Sequence, residues 1–173
     1  ELPDSMRLVP GAVSNDARIG NRVKVRAVVP YFRKEFRIGK ELTEAVLFIS
    51  GLGQYEAFIN GEKTGTGFLT PGWTNYDKSV LYNCYNVKDL LHQGINALGV
   101  MAGNRFYYIN QERYFKLLTA FGEPSLISLL RLKYSDGSTE NIVTDQSWKC
   151  TPSPITYSSI YGGEDYDACL EQD

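Results

Sequence analysis

Short β-rich runs punctuated by turn residues, with no long stretch of helical period between them, constrain this chain more than any other feature. The runs are Val23 to Val29, Tyr31 to Ile38, Ala45 to Ser50, Tyr55 to Asn60, Val80 to Tyr85, Ala97 to Ala102, Leu126 to Tyr134, Thr139 to Thr144 and Ser158 to Tyr161. Most are bounded by Gly, Pro, Asn or Asp, the residues that stop strands and make turns. A surface helix repeats its apolar residues at i, i+3 and i+4, whereas Phe36 and Ile38, like Leu47 and Ile49, alternate as one face of a strand does. Leu126 to Leu132 ends in the same alternation, typical of an antiparallel strand with one face in water. Asn60-Gly61 and Asp136-Gly137 are dipeptides that accept the positive φ of tight hairpins. Asn86 to Gly94 predicts one short helical corner, capped by Asn86 and stopped by Gly94. The expected fold is all-β: a two-layer antiparallel β-sandwich, jelly-roll-like.

The chain divides accordingly. Residues 1–20, with Pro3, Pro10, Gly11 and Gly20, carry no sustained apolar period and read as a lead-in or linker. Residues 21–161 form the sandwich, and 162–173 are an exit segment toward a following module, expected to fray or lie loosely on the surface. Asn104 to Gly122 is the longest region without a strand signal, and long loops in compact domains are usually functional.

With 43% hydrophobic and 22% charged residues over 173, the chain has enough apolar mass for one core, which excludes a disordered chain. No run approaches the ~20 apolar residues of a membrane span, so no membrane partner is expected. Residues 1–40 hold nine Lys/Arg against four Asp/Glu, and the rest nine against sixteen. Arg22, Lys24 and Arg26 alternate with Val23 and Val25 as the wet face of a strand, so no nucleic-acid partner is expected. His92 is the sole histidine, at the end of the helical corner, where it reads as a surface residue rather than the base of a catalytic triad. Cys84, Cys150 and Cys169 form no zinc spacing and allow at most one disulfide. Glu164, Asp165 and Asp167 cluster near the chain end and read first as a solvated acidic linker, next as an interdomain contact, and last as a facing catalytic pair.

The most distinctive run is Thr70-Pro71-Gly72-Trp73-Thr74-Asn75-Tyr76-Asp77. Pro71-Gly72 fits a type II turn with Gly72 at positive φ. Trp73 and Tyr76 then serve either as a plug at one end of the core or as a ligand platform, since aromatic faces stack on the C–H surface of sugars and neighbouring Asn or Asp groups read hydroxyls.

Three stretches together carry a family resemblance: Gly53 to Gly65, Pro71 to Asp77, and Asn86 to Ala97 with Gly94. Farther on come Asp136-Gly137, Asp145 with Trp148, Pro154-Ile155, and Tyr161 to Ala168. The ensemble, spanning about residues 31 to 168, resembles the N-terminal accessory β-sandwich domain of bacterial α-L-rhamnosidases, glycoside hydrolase family 78. The resemblance implies a non-catalytic, carbohydrate-binding-like domain of an enzyme that removes terminal L-rhamnose. Its catalytic carboxylates lie on an α/α-barrel outside this chain, and the barrel and other modules are partners. The fragment is not expected to turn over glycosides alone. The implied location is the periplasm or the bacterial exterior, and calcium is a candidate ligand. The sugar-binding candidates are Trp73, Tyr76, Asp77, Asn104 and Tyr107. Where relatives tend to carry Gly-Asp-Gly-Trp-Tyr, this chain has Gly103-Asn104-Arg105-Phe106-Tyr107, exchanging a carboxylate for an amide and weakening a calcium site. The alternative is a purely structural scaffold that braces the catalytic module, with Trp73 and Trp148 buried.

Overall fold

A computed structural model describes residues 29–109, 121 and 124–171. The run Val23 to Val28, the lead-in 1–20 and most of the long loop after Ile109 lie outside the described residues. Two antiparallel sheets face each other. One contains β1 (Pro30–Ile38), β3 (Gln54–Ile59), β4 (Glu62–Lys63), β6 (Gly94–Gly103) and β9 (Lys149–Pro152), in the order β4-β3-β6-β1-β9. The other contains β2 (Leu42–Leu52), β5 (Asn83–Asn86), β7 (Ser125–Tyr134) and β8 (Thr139–Val143), in the order β5-β2-β7-β8. A hairpin of β10 (Ile155–Ser159) and β11 (Gly163–Tyr166) stands apart. This is the expected β-sandwich.

Period-two patterning decides which side chains meet. Ala57 and Ile59 of β3, Leu98 and Val100 of β6 and Ile38 of β1 turn inward from the first sheet. Ala45, Leu47 and Ile49 of β2, Leu130 and Leu132 of β7 and Ile142 of β8 meet them from the second. Register fixes these neighbours, since Leu47 pairs with Leu130 and Ala57 with Val100. Tyr55 crosses the interior: its hydroxyl donates to Asn83 Oδ1 at 2.8 Å and lies 3.4 Å from the Tyr85 hydroxyl, both on β5 of the opposite sheet. Burial, then the neighbouring Tyr85, push the Tyr55 phenol far above its ordinary pKa, so it stays a neutral donor.

Both predicted hairpin dipeptides make turns. Asn60 and Gly61 take φ of 53° and 88° between β3 and β4, and Gly137 takes 81° in the turn from β7 to β8. The helical corner is a single 3-10 turn, Lys88–Leu90, with Asn86 Oδ1 accepting from the Lys88 amide at 3.2 Å and Gly94 at φ 106°. A second 3-10 turn, Ala168–Leu170, ends the described chain.

Several expectations are corrected. Of Val80 to Tyr85, only Asn83 onward pairs with β2. Strand β10 begins at Ile155, earlier than Ser158. Strands β9 and β11 carry no sequence signal: β9 is a four-residue edge strand ending in proline, which an edge tolerates, and β11 is Gly-Glu-Asp-Tyr. The exit segment is not loose. Gly163–Tyr166 pairs with β10, and the Asp167 amide donates to the Pro154 carbonyl at 2.9 Å.

Leu47→Ala removes wholly buried methyls between the sheets and should cost about 2–5 kcal/mol, measured as a lower denaturant midpoint at unchanged slope. The Asp136 carboxylate is held well below the usual range by Lys40, then by the Ser138 hydroxyl and amide. Its folded pKa therefore lies below the unfolded value of about 3.9. The stabilisation is complete above that value and is lost as pH falls through the range beneath it. Asp136→Asn should flatten this part of the acid limb of a stability-against-pH curve.

Candidate functional site

The candidate platform is built on a contact too close for side chains. Gly53, at φ 113°, carries the chain from one sheet to the other, and a Cβ there would sit 2.2 Å from the Gly103 carbonyl oxygen. Only glycine fits both the conformation and the space. The approach fixes the end of β6 and the residues after it. Asn104, wholly buried, donates from Nδ2 to the Ser158 carbonyl at 2.9 Å, tying this loop to β10. Its carbonyl accepts from the amides of Tyr107 and Tyr108, both at 3.1 Å.

Arg105 then takes φ 42° and turns its guanidinium to the neighbouring loop. Its Nη1 donates to the carbonyls of Leu69 and Pro71, the latter at 3.1 Å. The same loop is stitched to β3, since the Tyr55 amide donates to the Thr70 carbonyl at 2.9 Å and Thr70 Oγ1 donates back to the Tyr55 carbonyl at 3.1 Å. The expected type II turn at Pro71-Gly72 is not formed. The left-handed residue is Leu69, at φ 53°, rather than Gly72, and the Thr70–Pro71 peptide is cis. Leu69 is drawn into that conformation where its carbonyl faces Arg105. Beyond it, Thr74 Oγ1 donates to the Ser79 carbonyl at 2.6 Å, and the Asp77 amide to Asn75 Oδ1 at 3.1 Å.

This clamp presents Trp73. The indole is 56% exposed and stacks on Phe106 at 4.7 Å between centroids and 24° between planes, with Tyr161 edge-on to Phe106 at 6.2 Å. The core-plug expectation therefore fails for Trp73, whose ring is exposed and lies on a neighbouring loop instead. Trp148 is half-buried against the core, its Nε1 donating to the Val143 carbonyl at 2.9 Å.

The other candidates take different places. Tyr76 meets Tyr107 edge-on at 5.0 Å and Phe121 at 5.3 Å, while Tyr107 stacks on Phe121 at 5.7 Å. Tyr107 is buried against Tyr76 and Phe121, and Asn104 is entirely enclosed, so neither lies on the exposed face beside Trp73. Burial raises the phenol pKa of both Tyr76 and Tyr107; Arg105 opposes the rise at Tyr76. Asp77 is exposed. The structure thus keeps Trp73, Tyr76 and Asp77 on one loop, of which Trp73 and Asp77 are exposed and the Tyr76 hydroxyl is enclosed, and buries Asn104 and Tyr107. Sequence reasoning missed Arg105 as the clamp and Phe106 as the ring under Trp73. An arginine beside aromatic residues was the visible signal, but the positive φ that aims it was not.

Calcium takes six to eight oxygens and gains affinity from their charge. Among the described residues no three His, Cys, Asp or Glu side chains converge. The buried Asn104 Oδ1 lacks a hydrogen-bond partner, but it is a neutral amide oxygen directly preceding the cationic Arg105. The described residues do not fit a calcium site. A recess of about 980 Å³ lies elsewhere, on the outer face of the five-stranded sheet, where Tyr31, Phe58, Met101, Tyr166 and Leu170 line it. None of the five candidates borders it.

Replacing Gly53 by alanine should unfold or strongly destabilise the domain. Arg105→Met should leave the core melting nearly intact while increasing proteolytic cleavage within residues 67–82, as checked by thermal melts and limited proteolysis.

The sequence matches the family described as Alpha-L-rhamnosidase N-terminal domain over residues 40–173. An α-L-rhamnosidase of Formosa agariphila is 42% identical over 146 residues, which are 82% of this chain and 15% of that protein. The crystal structure of the Streptomyces avermitilis α-L-rhamnosidase complexed with L-rhamnose superposes with a TM-score of 0.75 at 35% identity, covering 85% of this chain and 14% of that one. The Aspergillus terreus enzyme gives a TM-score of 0.80 at 38% identity, covering 99% of this chain and 20% of that one. The chain therefore spans about a fifth or less of each of these three relatives. It belongs to the α-L-rhamnosidase N-terminal domain family.

Proposed function

We propose that this domain is the non-catalytic accessory domain of a larger, secreted or periplasmic glycoside hydrolase that releases terminal L-rhamnose, and that it engages rhamnose-bearing glycan weakly through Trp73. The observation that carries this reading is the half-exposed indole, stacked on Phe106 and held on a loop pinned by Arg105. A ring already ordered by packing loses little freedom when a sugar stacks on it, so the cost of binding is reduced. Asp77, four residues along the same loop, is exposed and offers a carboxylate, whereas the Tyr76 hydroxyl is enclosed. The Streptomyces avermitilis relative, solved with L-rhamnose, gives that sugar as the first to try.

The alternative, a scaffold without sugar binding of its own, draws on Asn104 and Tyr107. Two of the five candidates are buried, leaving few polar groups around the indole.

Titration with L-rhamnose, with and without calcium, while following tryptophan fluorescence separates the readings. The binding reading expects saturation with a Kd in the millimolar range, about −4 kcal/mol or weaker. It also expects Trp73→Ala to abolish the response without lowering the melting temperature appreciably. A flat signal to about ten times that range, or unfolding of the Trp73→Ala variant, sinks it. The fragment is expected to show no turnover of an aryl rhamnoside.

A further inference from the structure

We propose that the outer face of the four-stranded sheet is a docking surface for an apolar face of another module of the same polypeptide, an inference that rests on reading the chain as an accessory domain of a longer enzyme.

Strand register places an apolar row across the full width of this sheet. Cys84 of β5 pairs with Phe48 of β2, Phe48 with Leu129 of β7, and Leu129 with Val143 of β8. Directly opposed residues share a face, and the alternate residues Leu47, Tyr85, Leu130 and Ile142 are the ones that enter the core, so this row points outward. Ile127, two residues from Leu129 on the same face, is 69% exposed. Tyr82, 66% exposed, packs its ring against Phe48 at 6.3 Å. The row continues toward Leu81, whose carbonyl accepts from Ser50 Oγ at 2.7 Å and whose side chain lies against Gly72. The outer face of the other sheet also holds apolar residues, in the recess lined by Tyr31, Phe58 and Met101, but there the ion pairs Arg33–Glu35 and Lys63–Glu56 are interspersed with them. On the four-stranded sheet, pairing of that kind begins only beyond the row, at Glu44–Lys133.

Size selects the occupant. Three strand spacings make the row about 14 Å wide, and with Ile127 and Tyr82 the patch is on the order of 200–300 Å². A specific complex of free proteins buries roughly 800 Å² on each partner, so a second copy of this chain would be held too weakly by this face. A sugar site is smaller and carries more polar groups. A module in the same chain has an effective concentration in the millimolar range, and a patch of this size then suffices. The relatives supply such modules, since the matched stretch is only 14–20% of their length.

Thiol labelling tests this without altering the surface. Cys84 sits in the row and is exposed, while Cys150 and Cys169 are exposed elsewhere and report general reactivity. The chain alone and the full-length polypeptide that contains it are treated with a maleimide, and each site is read by peptide mass. Cys84 should react at least about tenfold more slowly in the longer polypeptide, as expected when the open form is a minor state. Ile127→Lys should restore its reactivity there while leaving the melting temperature of the chain alone unchanged. Equal Cys84 rates in both proteins overturn the proposal. So does unfolding of the Ile127→Lys chain, which would place that residue in the core. Protection of Cys84 that rises with concentration in the chain alone overturns it in favour of a second copy. A flat sugar titration leaves every one of these outcomes unchanged, so failure of the sugar reading and failure of this one are distinguishable.

Discussion

The close passage of Gly53 beside Gly103 is the contact on which the remaining architecture depends. Strand β2 belongs to one sheet and β3 to the other, and the chain makes that change within the few atoms around Gly53. Two backbones this close leave no room for a Cβ, so the end of β6 is held against the start of β3. From there the order propagates outward. The fixed end of β6 delivers Asn104 into the interior, Asn104 sets Arg105, and Arg105 holds the carbonyls from which Trp73 projects. Packing and presentation are thus successive links of one chain of contacts rather than separate designs.

Much of this is legible in the residues, for reasons that can be named. Asn60-Gly61 and Gly137 announce their turns because positive φ costs them little, and the structure has them there. The inward set of β2, β3, β6 and β7 is visible because period-two alternation against a shared core leaves a strong pattern. Strands β9 and β11 are invisible because edge pairing imposes no apolar pattern: Lys-Cys-Thr-Pro and Gly-Glu-Asp-Tyr pair mainly through backbone, with Ser158 Oγ donating to Glu164 across the second pair. The turn at Pro71-Gly72 misleads for a related reason. The dipeptide's local preference is overridden by two carbonyls facing a guanidinium from a loop more than thirty positions away in sequence.

The candidate site divides in the same manner. Trp73, Tyr76 and Asp77 are close neighbours in sequence, so the residues alone pick out their loop. The roles of Asn104 and Tyr107 depend on burial, which two residues in an aromatic-rich stretch do not reveal. Asn104 is a polar side chain without solvent, and Tyr107 a phenol under another ring. Both carry groups that could meet a sugar, but Asn104 gives its amide to the Ser158 carbonyl and Tyr107 is packed against Tyr76 and Phe121.

The segment from Gly67 to Tyr82 is fastened at one end to β3 through Thr70 and at the other to β2 through Leu81. Those strands belong to opposite sheets. The segment bearing Trp73 is therefore a bridge whose two abutments are the two layers of the sandwich. Any ligand that favours one shape of the bridge must also favour one spacing of the layers, and any partner that shifts a layer must alter the bridge. The shape of the loop that bears Trp73 and the cohesion of the sandwich are mechanically coupled.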